Sequence, residues 1–146
     1  MLQENFIYTN DNRIRMEGKK EREGTMGKTI LLVDDAAVVR HVVSLTLRKA
    51  GYEVIEAVNG NDALQKLAQN KVGMIITDLN MPEMDGIELI RHLREKPVYR
   101  FLPVVMLTTV SQEERKKEGK QAGASGWLYK PFQSKDLLDT VRRFVA

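Results

Sequence analysis

The sequence predicts an α/β fold: a doubly wound, five-stranded parallel sheet with flanking helices. Two observations carry that expectation. From Thr29 onward, short apolar runs alternate with stretches of helical period, the pattern of successive βαβ units. Four of those runs also end in residues able to do chemistry. Ile30-Leu31-Leu32-Val33 ends in Asp34-Asp35, and Met74-Ile75-Ile76-Thr77 ends in Asp78. Val104-Val105-Met106-Leu107 ends in Thr108-Thr109, and Trp127-Leu128-Tyr129 ends in Lys130-Pro131. Open α/β sheets place their sites at the carboxyl ends of the strands.

The first strand is expected over Thr29–Val33. The helix after it places Val38, Val42, Leu45 and Leu47 near helical spacing and stops at Gly51, a usual glycine just past a helix end. The second strand is Glu53–Ala57; Asn59-Gly60 turns, and Asn59 or Asn61 caps a short helix carrying Ala63, Leu64 and Leu67. The third strand covers residues 74–77. Asp85 caps the next helix, in which Ile87, Leu89, Ile90 and Leu93 form the buried stripe. The fourth strand, residues 104–107, follows Pro103.

The fourth helix, about residues 112–122, is the odd one. It reads Gln112-Glu113-Glu114-Arg115-Lys116-Lys117-Glu118-Gly119-Lys120-Gln121-Ala122, almost without an apolar face. Gly119 inside it costs roughly 1 kcal/mol relative to alanine, so this helix is expected to be the least stable. Residues 123–126 lead to the fifth strand, 127–129, and Ser134 caps a last helix with Leu137, Leu138, Val141, Phe144 and Val145.

At 146 residues the chain is one domain with enough length for a core. Its apolar runs are far shorter than a membrane span, and no basic-then-apolar leader opens it. The absence of cysteine excludes disulfides and thiolate metal sites and fits a cytoplasmic protein. His41 and His92 fall in helical patterns away from the strand ends and read as solvated residues. Residues 1–25 carry five basic and five acidic residues, leaving the net +3 to the remainder. That excess is too small to argue for nucleic acid, which calls for a clustered basic face.

Residues 1–25 show neither hydrophobic period and read as a disordered extension. Met26-Gly27-Lys28 leads straight into the first strand. The tract Lys19-Lys20-Glu21-Arg22-Glu23-Gly24 is the kind that purine-rich codons encode. Residues 1–25 therefore read as a translated ribosome-binding region upstream of a start at Met26, with a functional arm as the rival.

Right-handed crossovers bring all the strand ends to one edge, crowding Asp34, Asp35 and Asp78. Three carboxylates in one pocket repel, so a proton or a cation must neutralise them. Oxygen ligands without His or Cys select a hard ion, and Mg2+ is the usual choice where phosphate chemistry follows. Lys130 and the Thr108 hydroxyl supply a point charge and a donor for an incoming dianion. Asp78 can then attack a phosphoryl group and hold it as an acyl phosphate. Each element has a bland reading: an Asp-Asp pair often caps the next helix, and Lys-Pro can simply mark a turn. Their conjunction at consecutive strand ends carries the inference.

Residues 26–146 resemble the receiver domain of two-component response regulators, most nearly its stand-alone chemotaxis members of the CheY type. The stretches that carry the resemblance are Leu31-Leu32-Val33-Asp34-Asp35, Thr77-Asp78-Leu79-Asn80-Met81-Pro82-Glu83-Met84-Asp85-Gly86, Pro103-Val104-Val105-Met106-Leu107-Thr108 and Ala122-Gly123-Ala124-Ser125-Gly126-Trp127-Leu128-Tyr129-Lys130-Pro131-Phe132. The resemblance implies a flavodoxin-like fold and makes Asp78 the phosphoacceptor. It implies that Asp35, Asp78 and the Asn80 backbone carbonyl bind Mg2+, with Asp34 acting through water. Thr108 and Lys130 would contact the phosphoryl group, and Lys130-Pro131 would be cis. Trp127 occupies the position of a switch aromatic that is commonly Tyr or Phe, and Val110 stands where an acidic or polar residue is often found. A valine there neither donates nor accepts a hydrogen bond, so self-dephosphorylation is expected to be slow.

The expected function is a phosphorylation-switched, non-enzymatic binding module in chemotaxis or motility control. A histidine kinase would be the donor, and the face around the fourth helix, fifth strand and fifth helix would meet the target. Neither nucleic acid nor membrane is expected as a partner, and the molecule is expected to be a monomer. The alternatives within the family are a phosphorelay intermediate or a phosphate sink. A metal-dependent phosphatase typically needs a second acid two residues past its nucleophile, where this chain has Asn80, together with a cap domain. A nucleotide-binding module is weaker still, because Val33-Asp34-Asp35-Ala36 carries no glycine to admit a pyrophosphate.

Overall fold

Five parallel strands in the order β2-β1-β3-β4-β5 build the sheet: β1 Thr29–Val33, β2 Glu53–Ala57, β3 Met74–Asp78, β4 Val104–Thr109 and β5 Gly126–Lys130. The computed structural model describes residues 28–145, and at Val110 the backbone only. The expected extension at residues 1–25 and the start at Met26 lie outside the described residues. Five α-helices connect and flank the strands: α1 Ala37–Lys49, α2 Gly60–Gln69, α3 Gly86–Arg94, α4 Lys116–Ala122 and α5 Ser134–Arg142. The predicted fold class is the one observed.

Alternate residues of each central strand feed two separate cores. Leu31, Val33, Ile75 and Met106 face Ala63 and Leu67 of α2 and Ile87, Leu89, Ile90 and Leu93 of α3. Ile30, Leu32, Met74, Ile76, Val105 and Leu107 face Val43 and Leu47 of α1 and Leu137 and Val141 of α5. Both faces are covered, which is why these strands read as unbroken apolar runs rather than alternating ones.

The helix ends follow local chemistry in most places. Asn59 caps α2 by accepting from the Asp62 N–H at 2.8 Å. Asp85 and Glu88 form a reciprocal capping box on α3, at 2.8 and 2.9 Å. Gly51, with φ of 100°, closes α1 in the left-handed region. Ser134 is a correction: it is the first residue of α5, and Gln133 takes the cap position with its N–H on Asp136.

Helix α1 brings a second correction. Val38, Val42 and Leu45 are 76%, 54% and 47% exposed, while Val43, Ser44 and Leu47 are buried with Val39 packed beside them. The sequence holds two apolar stripes at helical spacing, and only docking on the sheet selects between them. A third difference concerns the fourth helix. Residues Val110–Arg115 form a 3-10 helix, and the α-helix runs only over Lys116–Ala122. The first turn is tightened because Thr109 and Gln112 cap it reciprocally.

Candidate functional site

The strand order reverses between β1 and β3, and the crevice beyond their carboxyl ends is where an open α/β sheet binds its ligand. Asp34 and Asp35 follow β1, and Asp78 is the last residue of β3. Carboxylate oxygens of the three lie within 4.8 Å of one another. The ladder continues past the site on both sides. The Asp34 N–H donates to the Ala57 carbonyl, and the Leu79 N–H donates to the Leu107 carbonyl, each at 3.1 Å. Asp78 is thus set by a strand, and Asp34 by the ladder bond that extends β1 one residue further.

Asp34 is fully buried, and its neighbours fix its orientation. Its Oδ1 accepts from the Ala36 N–H at 2.9 Å, and its carbonyl accepts from Arg40 Nη1 at 2.7 Å. Its other oxygen, Oδ2, has no hydrogen-bond partner; the Lys130 ammonium stands 3.5 Å away. Neither Asp34 nor Asp35 caps α1, which has no side-chain cap, so the bland reading of the pair fails. Asp35 is exposed at the mouth of the site.

Asp78 keeps 13% of its side chain exposed and accepts from Lys130 Nζ at 3.0 Å. Burial pushes its carboxyl above the ordinary aspartate range; the Lys130 hydrogen bond offsets part of that, and the Asp34 charge adds to it. A partly buried carboxylate with a cation beside it can act as a nucleophile. Lys130 reaches the site from the end of β5, and the Lys130-Pro131 bond is cis, as the resemblance implied. The orphaned buried Asp34 Oδ2, the converging carboxylates and the all-oxygen donor set fit a hard divalent cation such as Mg2+.

Thr108 ends up at the same edge, buried on β4, but its hydroxyl donates at 2.9 Å to Gln112 Oε1. Trp127 lies on the face of β5 that joins the α2–α3 core, paired in register with Met106. A Cβ on Gly119 would overlap Trp127 Cη2 and stand 2.9 Å from Cζ2. Gly119 is therefore not merely a weak helix residue; it makes room for an indole. Gly86 works similarly at the other side of the site. A Cβ there would lie 2.5 Å from the Asp78 carbonyl oxygen, so only glycine lets α3 start against the backbone of Asp78.

The 3-10 helix Val110–Arg115 and α4 are held from outside rather than by an apolar face of their own. Arg115 bridges to Asp85 at 3.2 Å, and Arg91 of α3 reaches Glu118 at 3.2 Å. The Tyr129 hydroxyl donates to Glu113, and Lys116 sits 5.4 Å above the Tyr129 ring. Sequence reasoning missed Gln112, Gly86 and the partner of Gly119. A signal for Gln112 was present: Thr109-Val110-Ser111-Gln112 matches the Ser/Thr-x-x-Glu/Gln capping pattern.

Comparison with known families matches residues 30–142 to the response regulator receiver domain. The chain belongs to that family. Among solved structures it is similar to the chemotaxis response regulator CheY4 of Vibrio cholerae, at 45% identity and a TM-score of 0.76, covering 80% of this chain and 98% of that one. A receiver domain of a sensor histidine kinase from Pseudomonas aeruginosa PAO1, solved with magnesium in its active-site cleft, is 30% identical with a TM-score of 0.74, covering 81% and 97%. The phosphate regulon transcriptional regulatory protein PhoB of Pseudomonas aeruginosa is 37% identical over 113 residues, which are 77% of this chain and 49% of PhoB. The chain thus spans about half the length of this curated relative. Receiver domains act in two-component signalling, where histidine kinases phosphorylate them and an acidic pocket binds Mg2+. Among the described residues, no helix is long and apolar enough to cross a membrane.

Proposed function

We propose that this chain is a phosphorylation-switched signalling module that accepts a phosphoryl group from a histidine kinase onto Asp78. The observation that carries the reading is the meeting of Asp78 Oδ1 and Lys130 Nζ at 3.0 Å inside a cluster of three carboxylates. In the transfer, an Asp78 oxygen attacks the phosphorus of a phosphohistidine. The new P–O bond forms as the P–N bond breaks, and the imidazole leaves with the electron pair and takes a proton. Lys130 and Thr108 would face the phosphoryl oxygens. Asp35, Asp78 and the Asn80 backbone carbonyl would hold Mg2+, with Asp34 acting through water. The bound ion would supply positive charge to the transferring oxygens.

The donor must approach from the open edge, where Val38 begins the outward apolar stripe of α1. The output surface is α4, β5 and α5, because β5 carries Trp127 and Lys130 and α4 packs on the Trp127 indole at Gly119. A chemotaxis or motility circuit is supported by the likeness to the Vibrio cholerae regulator, 98% of which the chain covers. The test is transfer of labelled phosphate from candidate histidine kinases, chemotaxis kinases first. Wild type should acquire a base-labile label, and Asp78→Asn should acquire none. Label retained by that variant overturns the assignment of Asp78, and transfer confined to kinases of other circuits overturns the chemotaxis reading.

A further inference from the structure

One hydroxyl at the site is already committed. Thr108 Oγ1 donates to Gln112 Oε1 at 2.9 Å, with the Thr109 carbonyl a longer alternative at 3.4 Å; Gln112 Oε1 also accepts the Thr109 N–H at 3.0 Å, while the Thr109 hydroxyl lies 3.2 Å from it and 2.8 Å from Ser111 Oγ. An amide oxygen offers two lone pairs, so the Thr108 hydroxyl and the Thr109 N–H, its two shortest donors, already fill it. Gln112 is thereby the pin of the 3-10 helix Val110–Arg115. That helix, tied to Asp85 by Arg115, continues into α4, where Gly119 abuts the Trp127 indole.

A hydroxyl has one proton. It can donate to Gln112 or to a phosphoryl oxygen on Asp78, and not to both at full strength. We propose that Gln112 is a positioning residue that holds the Thr108 hydroxyl away from the phosphoryl site in the resting state. Capture of that proton by a phosphoryl oxygen removes the shortest donor on Gln112 Oε1 and loosens the 3-10 helix leading into α4. The inference rests on the proposed role of Asp78 and deepens it. It names the side chain through which the phosphoryl group is felt at the start of α4, by a polar route that does not pass through the aromatic at 127. Gln112 also becomes a brake, because its bond to Thr108 must be given up before the phosphorylated state is reached, and a ligand shifts such an equilibrium only by its differential affinity.

The test measures binding of beryllofluoride with Mg2+, an acyl-phosphate mimic, by calorimetry in the full chain. Gln112→Ala removes the competing acceptor and should bind the mimic about two- to tenfold tighter than wild type, the range set by one neutral hydrogen bond. Gln112→Glu keeps an acceptor, and a charged one that holds the Thr108 proton at least as firmly, so it should bind the mimic no more tightly than wild type. In a Thr108→Ala background the substitution at 112 should change nothing, which a merely structural role for Gln112 would not produce. A second readout needs neither metal nor mimic: amide exchange over residues 110–115 should be faster in Gln112→Ala than in wild type and close to wild type in Gln112→Glu. Wild type that binds the mimic while Gln112→Ala binds it equally or more weakly overturns the inference. Wild type that does not bind it at all overturns the Asp78 reading instead, and the exchange measurement still decides whether Gln112 pins the 3-10 helix.

Discussion

Gly119→Ala separates two opposed effects that the structure puts on the same atom. Helix propensity favours the change by roughly 1 kcal/mol. Packing opposes it, because the added carbon overlaps Trp127 Cη2 and lies 2.9 Å from Cζ2, where carbon atoms ordinarily rest at about 3.5 to 4.0 Å. The indole must retreat by roughly 1 Å or leave its seat, and overpacking of that kind costs about 1 to 3 kcal/mol. The expected net result is a loss of up to about 2 kcal/mol, not a gain. Trp127 is the sole tryptophan, so its emission reports the indole alone. Gly119→Ala should shift that emission to the red, and denaturation followed by circular dichroism should give the stability. In a Trp127→Phe background the overlapping ring atoms are gone, and the same substitution should stabilise by about 1 kcal/mol. A variant with tryptophan retained, unshifted emission and a gain of about 1 kcal/mol would refute the reasoning.

Other expectations follow from the same geometry. Asp78 has its native pKa raised by burial, so the folded protein binds more protons than the unfolded chain between the ordinary aspartate value and the raised one. Stability contributed by this group therefore falls as pH rises through that window. Asp78→Asn should be more stable than wild type at neutral pH, with the difference vanishing below the ordinary aspartate range, as pH-dependent urea melts would show. Free Mg2+ at ten times its Kd should stabilise wild type by about 1.4 kcal/mol, and Asp35→Asn should lose most of that increment in thermal melts. Gly86→Ala should cost about 1 to 3 kcal/mol and slow phosphotransfer, since the Asp78 carbonyl it would press on is backbone and cannot swing aside; wild-type stability and rate would contradict this. Val110→Glu tests an expectation that rests on the resemblance alone: an acid at 110 should speed loss of the acyl phosphate, and a decay rate that is unchanged or slower would count against it.

The features legible in the sequence were those with a local cause. Strands that are buried on both faces must be apolar throughout, so β1, β3 and β4 announced themselves. The residues that ended those runs, Asp34, Asp35, Asp78 and Thr108, were placed at one edge by the handedness of the crossovers alone. Asn59, Asp85 and Gly51 act on backbone groups within a few residues and could be read directly. Helix α1 shows the limit: Val38-Val42-Leu45 and Val39-Val43-Leu47 satisfy the same period, and nothing local says which of them meets the sheet.

Sequence alone therefore determined the fold class, the sheet edge that carries the chemistry and the identity of the charged groups there. Tertiary structure decided what those groups are bonded to at rest. The Thr108 hydroxyl faces Gln112 because a capping interaction folds the chain back after β4, and the fourth helix begins as a 3-10 turn for the same reason. Gly119 looked like a defect because its cost is intrinsic to the helix, whereas its benefit comes from Trp127, eight residues along the chain and on another element. Propensity and period act between neighbours in sequence. Steric room, burial and the choice among competing acceptors act between neighbours in space, and only the packed chain brings those together.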